Sequence, residues 1–596
     1  MIVPMKKIYL VVEAKNQSTA LEGLRDVGLV HVVHVQPPVH QDVEQTRQHI
    51  QSLEQCLSAL EAYRDASARS EVFDWPSAVN EVLELVNQTT VINEQIKATK
   101  ALIELWRPWG PFEPNDVRML AHHGIHLKFF EIPVSEWKKY SSDPFWIVVS
   151  QQSSLVRAIT ITRGHKEYPF QETAVPEAGL HVFEHRLRQE EARQTVFSKR
   201  LKELARGRDT LEKALIEKRQ ELELNQIKAG LGIDEGLVYL KGFCPVNRCE
   251  DLKKHAQAQH WGLLVTDLSD EDRPPTLLRN PKWVQMIKPV FDLINVLPGY
   301  NEVDISPVFL IFFSIFFGIL IGDAGYGLVF FGLTAFLHIK LKDKVKDKAP
   351  FFLVYVLSSS AIVWGVLTGT FFGTLLLGKV VKPVLQWVTD SNHVQLLCFL
   401  IGAIHLSIAR GWQLLLKTST PFAALAEFGW IVVVWGGFFL ANAMVIGIPL
   451  MGVDIAKSLI IVGAGVGLVF VDIVVRSKGK VGDIGVGCIL LFFSVLSACT
   501  DVVSYIRLFA VGLAGLAVAD AFNEMALGIG FNSVLTGLIT VLILVAGHLF
   551  NIVLCCFGLL VHGLRLNVLE FSGHLGLEWK GFKYQPFQKT NVVSTF

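Results

Sequence analysis

The chain has 596 residues, a mean hydropathy of +0.39, and 55 basic against 55 acidic side chains. It is too long for one core, and its zero net charge offers no electrostatic ground for binding nucleic acid. Its eight cysteines are scattered, with no CxxC and no His-x3-His near Cys244 and Cys249, which argues against zinc and fits small apolar side chains in a reducing compartment.

The apolarity is unevenly spread. Residues 1–300 are polar and charge-rich, whereas 306–570 form a series of apolar runs. The opening MIVPMKKIYLVVEAKNQ lacks a signal-peptide core, so the polar half is expected on the cytoplasmic side. Residues 7–14 alternate as a strand, 18–27 read as a helix and 29–36 as a second strand, giving a compact β-α-β unit. Val43, Ile50, Leu53, Leu57 and Leu60 follow near heptad spacing. Asp74-Trp75-Pro76 interrupts this pattern, which resumes from Val79 to Ile103 and stops at Pro108. Residues 127–134, 145–151 and 155–163 look like strands. A second helical run carries Phe197, Leu201, Leu204, Leu211, Leu215 and Leu222, and Gly230 and Gly232 end it. Residues 237–245, 249–259 and 263–267 form another β-α-β unit.

The expected arrangement is an α+β half of two small lobes joined by an antiparallel coiled coil. One lobe lies near 1–36 with 237–270 and the other in 120–180; the rod uses 40–107 and 184–230. The rod reads either as a stalk that holds partner proteins or as an ordinary helical domain with solvated charge runs.

From about 301 to 596 the chain reads as an α-helical polytopic membrane domain of about eight spans: 306–322, 325–340, 350–377, 396–416, 425–447, 457–475, 485–529 and 533–568. Lys340, Lys342, Lys344, Lys346 and Lys348 follow the second span. Arg410 and Lys417 follow the fourth, Arg476, Lys478 and Lys480 the sixth, and Lys580, Lys583 and Lys589 lie in the tail. All four groups place both termini inside by the positive-inside rule, with Lys379 and Lys382 as a mild dissent. The last two spans are too long for a hydrocarbon core about 30 Å thick. They either break or tilt, and the lack of proline in both favours tilt over a sharp kink.

Arg507 lies in the middle of the seventh span. An arginine at a bilayer centre costs about 2.5–3.5 kcal/mol on insertion scales and cannot shed its proton. At about 100° per residue, Thr500, Val503, Ser504, Val511, Ala514 and Val518 share its face. That small, smooth face suits either close helix packing or a surface that slides past a moving partner. Asp501 is about 120° away, a poor partner, so the partner is expected on another chain. On the eighth span His548, Asn551, Cys555, Gly558, His562 and Arg565 form a polar stripe, with Glu570 beyond it. The stripe is read as an ion path, against a structural hydrogen-bond ladder. Asp323 in GDAGYG is expected to shape a turn, and His405 and Glu427 to pair or to line a cavity.

The runs DVVSYIRLFAVGLAG and VHGLRLNVLEF, the GDAGYG turn, the opening MIVPMKK, RPPTLLRNPKW…LPGYNEVDISPVF and the GFCP segment together resemble the membrane stator subunit of V/A-type rotary ATPases, subunit a or bacterial subunit I. The resemblance implies a non-catalytic, ion-translocating subunit without a cofactor, in the cell (inner) membrane. Its partners would be the proteolipid c-ring, peripheral stalk subunits, the central-stalk or ring-cap region and the lipid bilayer. It implies that Arg507 is the essential arginine and Arg565 the second one. Ser504, Asp501, His548, Asn551, His562, Glu570 and Glu427 are candidates for the ion path. Two departures stand out: GHLGLEWKG replaces a KFYEGGG-like segment at 573–581, and position 555, acidic in some eukaryotic relatives, is Cys. The short soluble half suggests a bacterial member. The rival reading is a self-contained secondary ion transporter, which would show repeated halves with paired broken helices.

Overall fold

The computed structural model describes all residues except 65–73, 142, 153, 164–167, 343–344, 346, 375–381, 448, 479 and 590–596. Lys344, Lys346 and Lys379 of the topology argument lie outside the described residues.

The soluble half begins with β1 (Met5–Glu13), α1 (Gln17–Val27) and β2 (His31–Val33). Then come α2 (Gln41–Leu60) and α3 (Trp75–Trp106). The Asp74 carboxylate caps α3 by accepting from Ser77 N, with a proline in its first turn. A small lobe follows: α4 (Pro114–His122), β3 (His126–Pro133), α5 (Val134–Trp137), β4 (Trp146–Gln151), β5 (Leu155–Thr162) and β6 (Glu172–Thr173). The chain returns through α6 (Leu180–Ala205) and α7 (Arg208–Ala229). It closes the half with β7 (Gly232–Asp234), β8 (Leu237–Pro245), α8 (Cys249–Ala258) and β9 (Gly262–Thr266), then the short α9 (Lys282–Gln285) and α10 (Lys288–Ile294).

The two β-α-β units are not separate. They interleave in one antiparallel sheet of order β2-β8-β1-β9, with β7 on β8, the split β-α-β arrangement. β1 runs antiparallel to β8 from Met5↔Pro245 to Glu13↔Leu237. Ile8, Leu10, Leu21, Leu24, Val30, Val238, Leu240 and Leu252 fill its core. The strand expected over 29–36 shortens to three residues. Pro37 and Pro38 follow it, and Val35 N donates to Gly230 O instead of to a strand. The second sheet, β4-β5-β3-β6, is covered on both faces. Successive residues of β3 face opposite ways, so Phe129 packs with Trp106 and Trp109 while Phe130 packs with Trp146.

Between the sheets, α2 packs on α7 and α3 on α6, antiparallel. Leu53, Leu57, Leu60, Val79, Val82, Leu201, Leu204 and Leu211 form an apolar seam between them. Arg200–Glu81 and Arg219–Glu54, each at 2.6 Å, bridge the rod's surface. Exposed pairs of this kind are worth about 0–1 kcal/mol, so the seam holds the rod together.

The membrane half contains α11 (Ser306–Ile321), α12 (Ala324–Leu341), α13 (Ala349–Thr368), α14 (Ser391–Leu416), α15 (Pro421–Ala441), α16 (Ile455–Arg476), α17 (Val481–Val503), α18 (Ile506–Ile529), α19 (Val534–Gly558) and α20 (Ser572–Leu575). Among the described residues, counting Val481–Ile529 and Val534–Leu575 as one span each, seven are long and apolar enough to cross a bilayer, and α11 is a shorter eighth. Its 16 residues reach about 24 Å. Eleven of them are buried, chiefly against α13, α18 and the eighth span, while Ile311 and Ile315 stay exposed. Asp323 shapes the turn that follows. Its carboxylate accepts from Gly325 N and Tyr326 N to cap α12, and from Phe372 N and Gly373 N across the turn after α13. Gly365 has no room for a side chain: a Cβ there would lie 2.0 Å from Ala324 N.

The two long spans differ from the unbroken helices that the absence of proline suggested. The seventh is interrupted at Ser504–Tyr505, where Tyr505 N, Arg507 N and Leu508 N donate three residues back. The cause is local: Ser504 Oγ donates to Asp501 O and Arg507 Nε to Ser504 O, so side chains take up carbonyls of the helical ladder. The eighth carries π turns at Leu559–Gly563 and Leu566–Phe571. From α20 the tail runs back to the soluble half and seats Phe587, 1% exposed, in the core of the first sheet.

Candidate ion-translocation site

The interruption before Arg507 and the π turns of the eighth span face each other. Arg507 Nη2 lies 2.6 Å from Glu570 Oε1, and Ser504 Oγ donates to the same oxygen at 3.3 Å. Arg565 Nε is 3.5 Å from it, on a side chain that is 55% exposed. The charge that appeared unpartnered within its own helix therefore has a partner 63 residues on, in the same chain. Glu570 is 6% exposed, and burying a carboxylate that deep is costly without such pairing.

Asp501 points away from Arg507, as its position on the helix requires, and meets His574 Nε2 at 3.0 Å. Arg410 Nε donates to His574 Nδ1 at 3.1 Å. Arg410 and Lys417 both pair with Glu427, at 3.2 and 2.5 Å. Glu427 thus does not pair with His405, which bonds Tyr505 instead. A polar chain results, from Asp501 through His574 and Arg410 to Glu427. Its first members, with Ser497, Arg565 and Glu570, line a cavity of about 340 Å³.

A second cavity, of about 230 Å³, lies at the other end of α14, lined by Asp323, Thr368, Thr370, Ser391, Leu508 and Gly512. Ser391 and Arg410 are 19 residues apart on one helix, about 28 Å along its axis. Leu508 and Phe509, next to Arg507, line one cavity, and its ion partner Glu570 lines the other.

The stripe on the eighth span divides. His548 Nδ1 meets Tyr326 Oη at 2.8 Å. Asn551 Nδ2 donates to Tyr326 Oη and to Gly515 O at 3.0 and 2.7 Å. Cys555 Sγ donates to Asn551 Oδ1 at 3.8 Å. Asn551 is 0% exposed, and a run of hydrogen bonds joins it to His548, Tyr326 and Cys555. His562 is half-buried, and Arg565 alone of the stripe reaches the Glu570 cluster.

Sequence reasoning passed over His574, Arg410 and Tyr505. Arg410 reads in the sequence only as a cation at the inner end of the fourth span. His574 lies in the segment that departs from KFYEGGG, one helical turn after Glu570, and that spacing was the available signal.

No family model matches the chain. V-type ATP synthase subunit I of Borreliella burgdorferi is 29% identical, with 99% of this chain and 100% of that protein covered. V-type ATP synthase subunit I 1 of Treponema pallidum gives the same identity and coverage. A-type ATP synthase subunit I of Pyrococcus abyssi is 30% identical over 55% of this chain and 50% of its own length. The first two matches run from end to end, so the chain is similar along its whole length to V-type ATP synthase subunits I.

Proposed function

We propose that the chain is the membrane stator subunit of a V/A-type rotary ATPase, non-catalytic, with both termini cytoplasmic. It passes ions to and from a rotating proteolipid c-ring and anchors peripheral stalk subunits through its rod and lobes. The observation that carries this reading is Arg507, a fixed charge flanked by cavities at the two ends of α14. An ion enters through one cavity and neutralises a ring carboxylate, which can then leave the arginine's side and turn through lipid. When the next loaded carboxylate arrives, pairing with Arg507 favours its ionised form, and the ion is released to the other cavity. The permanent charge also repels a cation that would cross directly. Arg507 already holds Glu570, so the ring carboxylate must share or displace that partner.

A tagged chain is expected to co-purify with a small carboxylate-bearing proteolipid and with stalk proteins. Purification of the chain alone in a form that transports ions would favour the secondary-transporter reading and refute this one. In a background without the eight native cysteines, Ser497→Cys is expected to react with a membrane-impermeant thiol reagent from the side of the soluble half. Thr368→Cys should react from the opposite side, and Asn551→Cys should be protected. Labelling of both cavity positions from one side only would rule out two separate paths.

A further inference from the structure

We infer that His405 is a positioning residue that holds the two halves of the Arg507–Glu570 pair in register, an inference that rests on the role proposed for Arg507. His405 lies on α14, which supplies neither charge, and is 0% exposed. Its Nδ1 is 2.8 Å from Tyr505 Oη, two residues before Arg507. Its ring lies flat on Phe571, next after Glu570, with centroids 4.4 Å apart at 13°. Phe312 of α11 closes the other face at 3.9 Å and 19°. One side chain therefore touches the flank of each charged residue and backs onto α11.

Tyr505 is also shaped for this. It is fully buried in the interrupted turn, and Gly402, one turn before His405, makes room for it: a Cβ there would lie 2.6 Å from the Tyr505 ring. The turn is the least regular point of its span, so something outside the helix must set where it points. A plain core residue would serve worse than imidazole. Leucine would fill the space between the rings but could not bond the hydroxyl. Imidazole does so at a cost, because His405 Nε2 is buried with no partner among the described residues. The cost is offset if the bond and the stacking together fix both partners of the ion pair. An error of about 1 Å at such a site can cost about a hundredfold in rate.

The test uses the whole complex carrying Tyr505→Phe, His405→Phe or both. Tyr505→Phe removes one oxygen, and His405→Phe keeps a flat ring between Phe312 and Phe571. Each single variant is expected to assemble with its ring at wild-type yield. ATP-driven uptake of protons and of radioactive sodium should fall about ten- to a hundredfold. The double variant should be no worse than the worse single, because both changes remove the same bond. The guanidinium nitrogen resonance assigned to Arg507, identified by its absence in Arg507→Lys, should move from its carboxylate-bound position. Wild-type uptake with an unmoved resonance in Tyr505→Phe overturns the inference. So does failure of Tyr505→Phe to assemble, which would show a folding role alone. Normal uptake by Arg507→Ala would instead overturn the underlying function, whatever the His405 variants do.

Discussion

Arg507→Ala is expected to assemble with its ring and stalks and to lose ATP-coupled ion transport by about 10²–10³-fold, the effect of removing one preorganised charge from a site that excludes water. The variant loses the group that favours the ionised form of an arriving carboxylate, and with it the barrier between the two cavities. It also leaves Glu570 buried with Arg565 as its nearest cation, at 3.5 Å and mostly exposed. Arg507→Lys is expected to recover only part of the loss. The guanidinium bonds Ser504 O through Nε and Glu570 through Nη2 at once, and an ammonium has no rigid fork to span them. Reconstituted vesicles decide the matter, with uptake and ATP hydrolysis measured in parallel. Uptake by Arg507→Ala within twofold of wild type, at normal assembly, would sink the assignment.

The chemistry of Arg507 was legible because it needs one residue and one fact, that arginine stays charged in a bilayer. Excluding Asp501 was legible too, since it needs only the helical period, and Asp501 indeed turns to His574. Glu570 as the partner was not, because the pairing links two helices across 63 residues and periodicity says nothing about which faces meet. The same holds for the first sheet. β1 and β8 each read as strands, but their pairing across more than 200 residues follows from the rod that intervenes. The break at Tyr505 was hidden for another reason. Helices are expected to break at proline, and here the cause is two side chains competing for backbone carbonyls. Histidine posed the converse problem. His405, His548 and His574 look alike in the sequence, and only packing separates a stacked clamp, a rung on Tyr326 and a link to Asp501.

The second large effect is expected at the tail, read in the sequence for its lysines and for the departure at 573–581. After α20 the chain climbs back along the soluble half. Gly581 N donates to Leu297 O, Thr276 N to Phe582 O, and Tyr584 N to Thr276 O. Tyr584 Oη donates to Leu29 O at 2.6 Å, and Phe587 N to Val30 O at 2.8 Å. Phe587 then enters the core formed by Ile8, Leu21, Leu24 and Val30, with the Arg25 guanidinium 5.9 Å from its ring centroid. The end of the last membrane helix is thus tied to the lobe by a buried aromatic anchor and a run of main-chain bonds. Phe587→Ala is expected to destabilise that lobe by about 3–5 kcal/mol, the usual cost of emptying a buried phenylalanine site. Lys589→Ala, which removes an exposed pair with Asp26, should cost less than about 1 kcal/mol. Hydrogen exchange in the assembled complex separates the two, because amides of β1 and β8 should lose protection in the first variant and keep it in the second. In the stator reading, torque reaches the membrane through this junction, so Phe587→Ala should also hydrolyse ATP with fewer ions moved per turnover. Full protection of β1 and β8 in Phe587→Ala would show that the lobe closes without its anchor, leaving α9, α10 and the segment around them to bear the load.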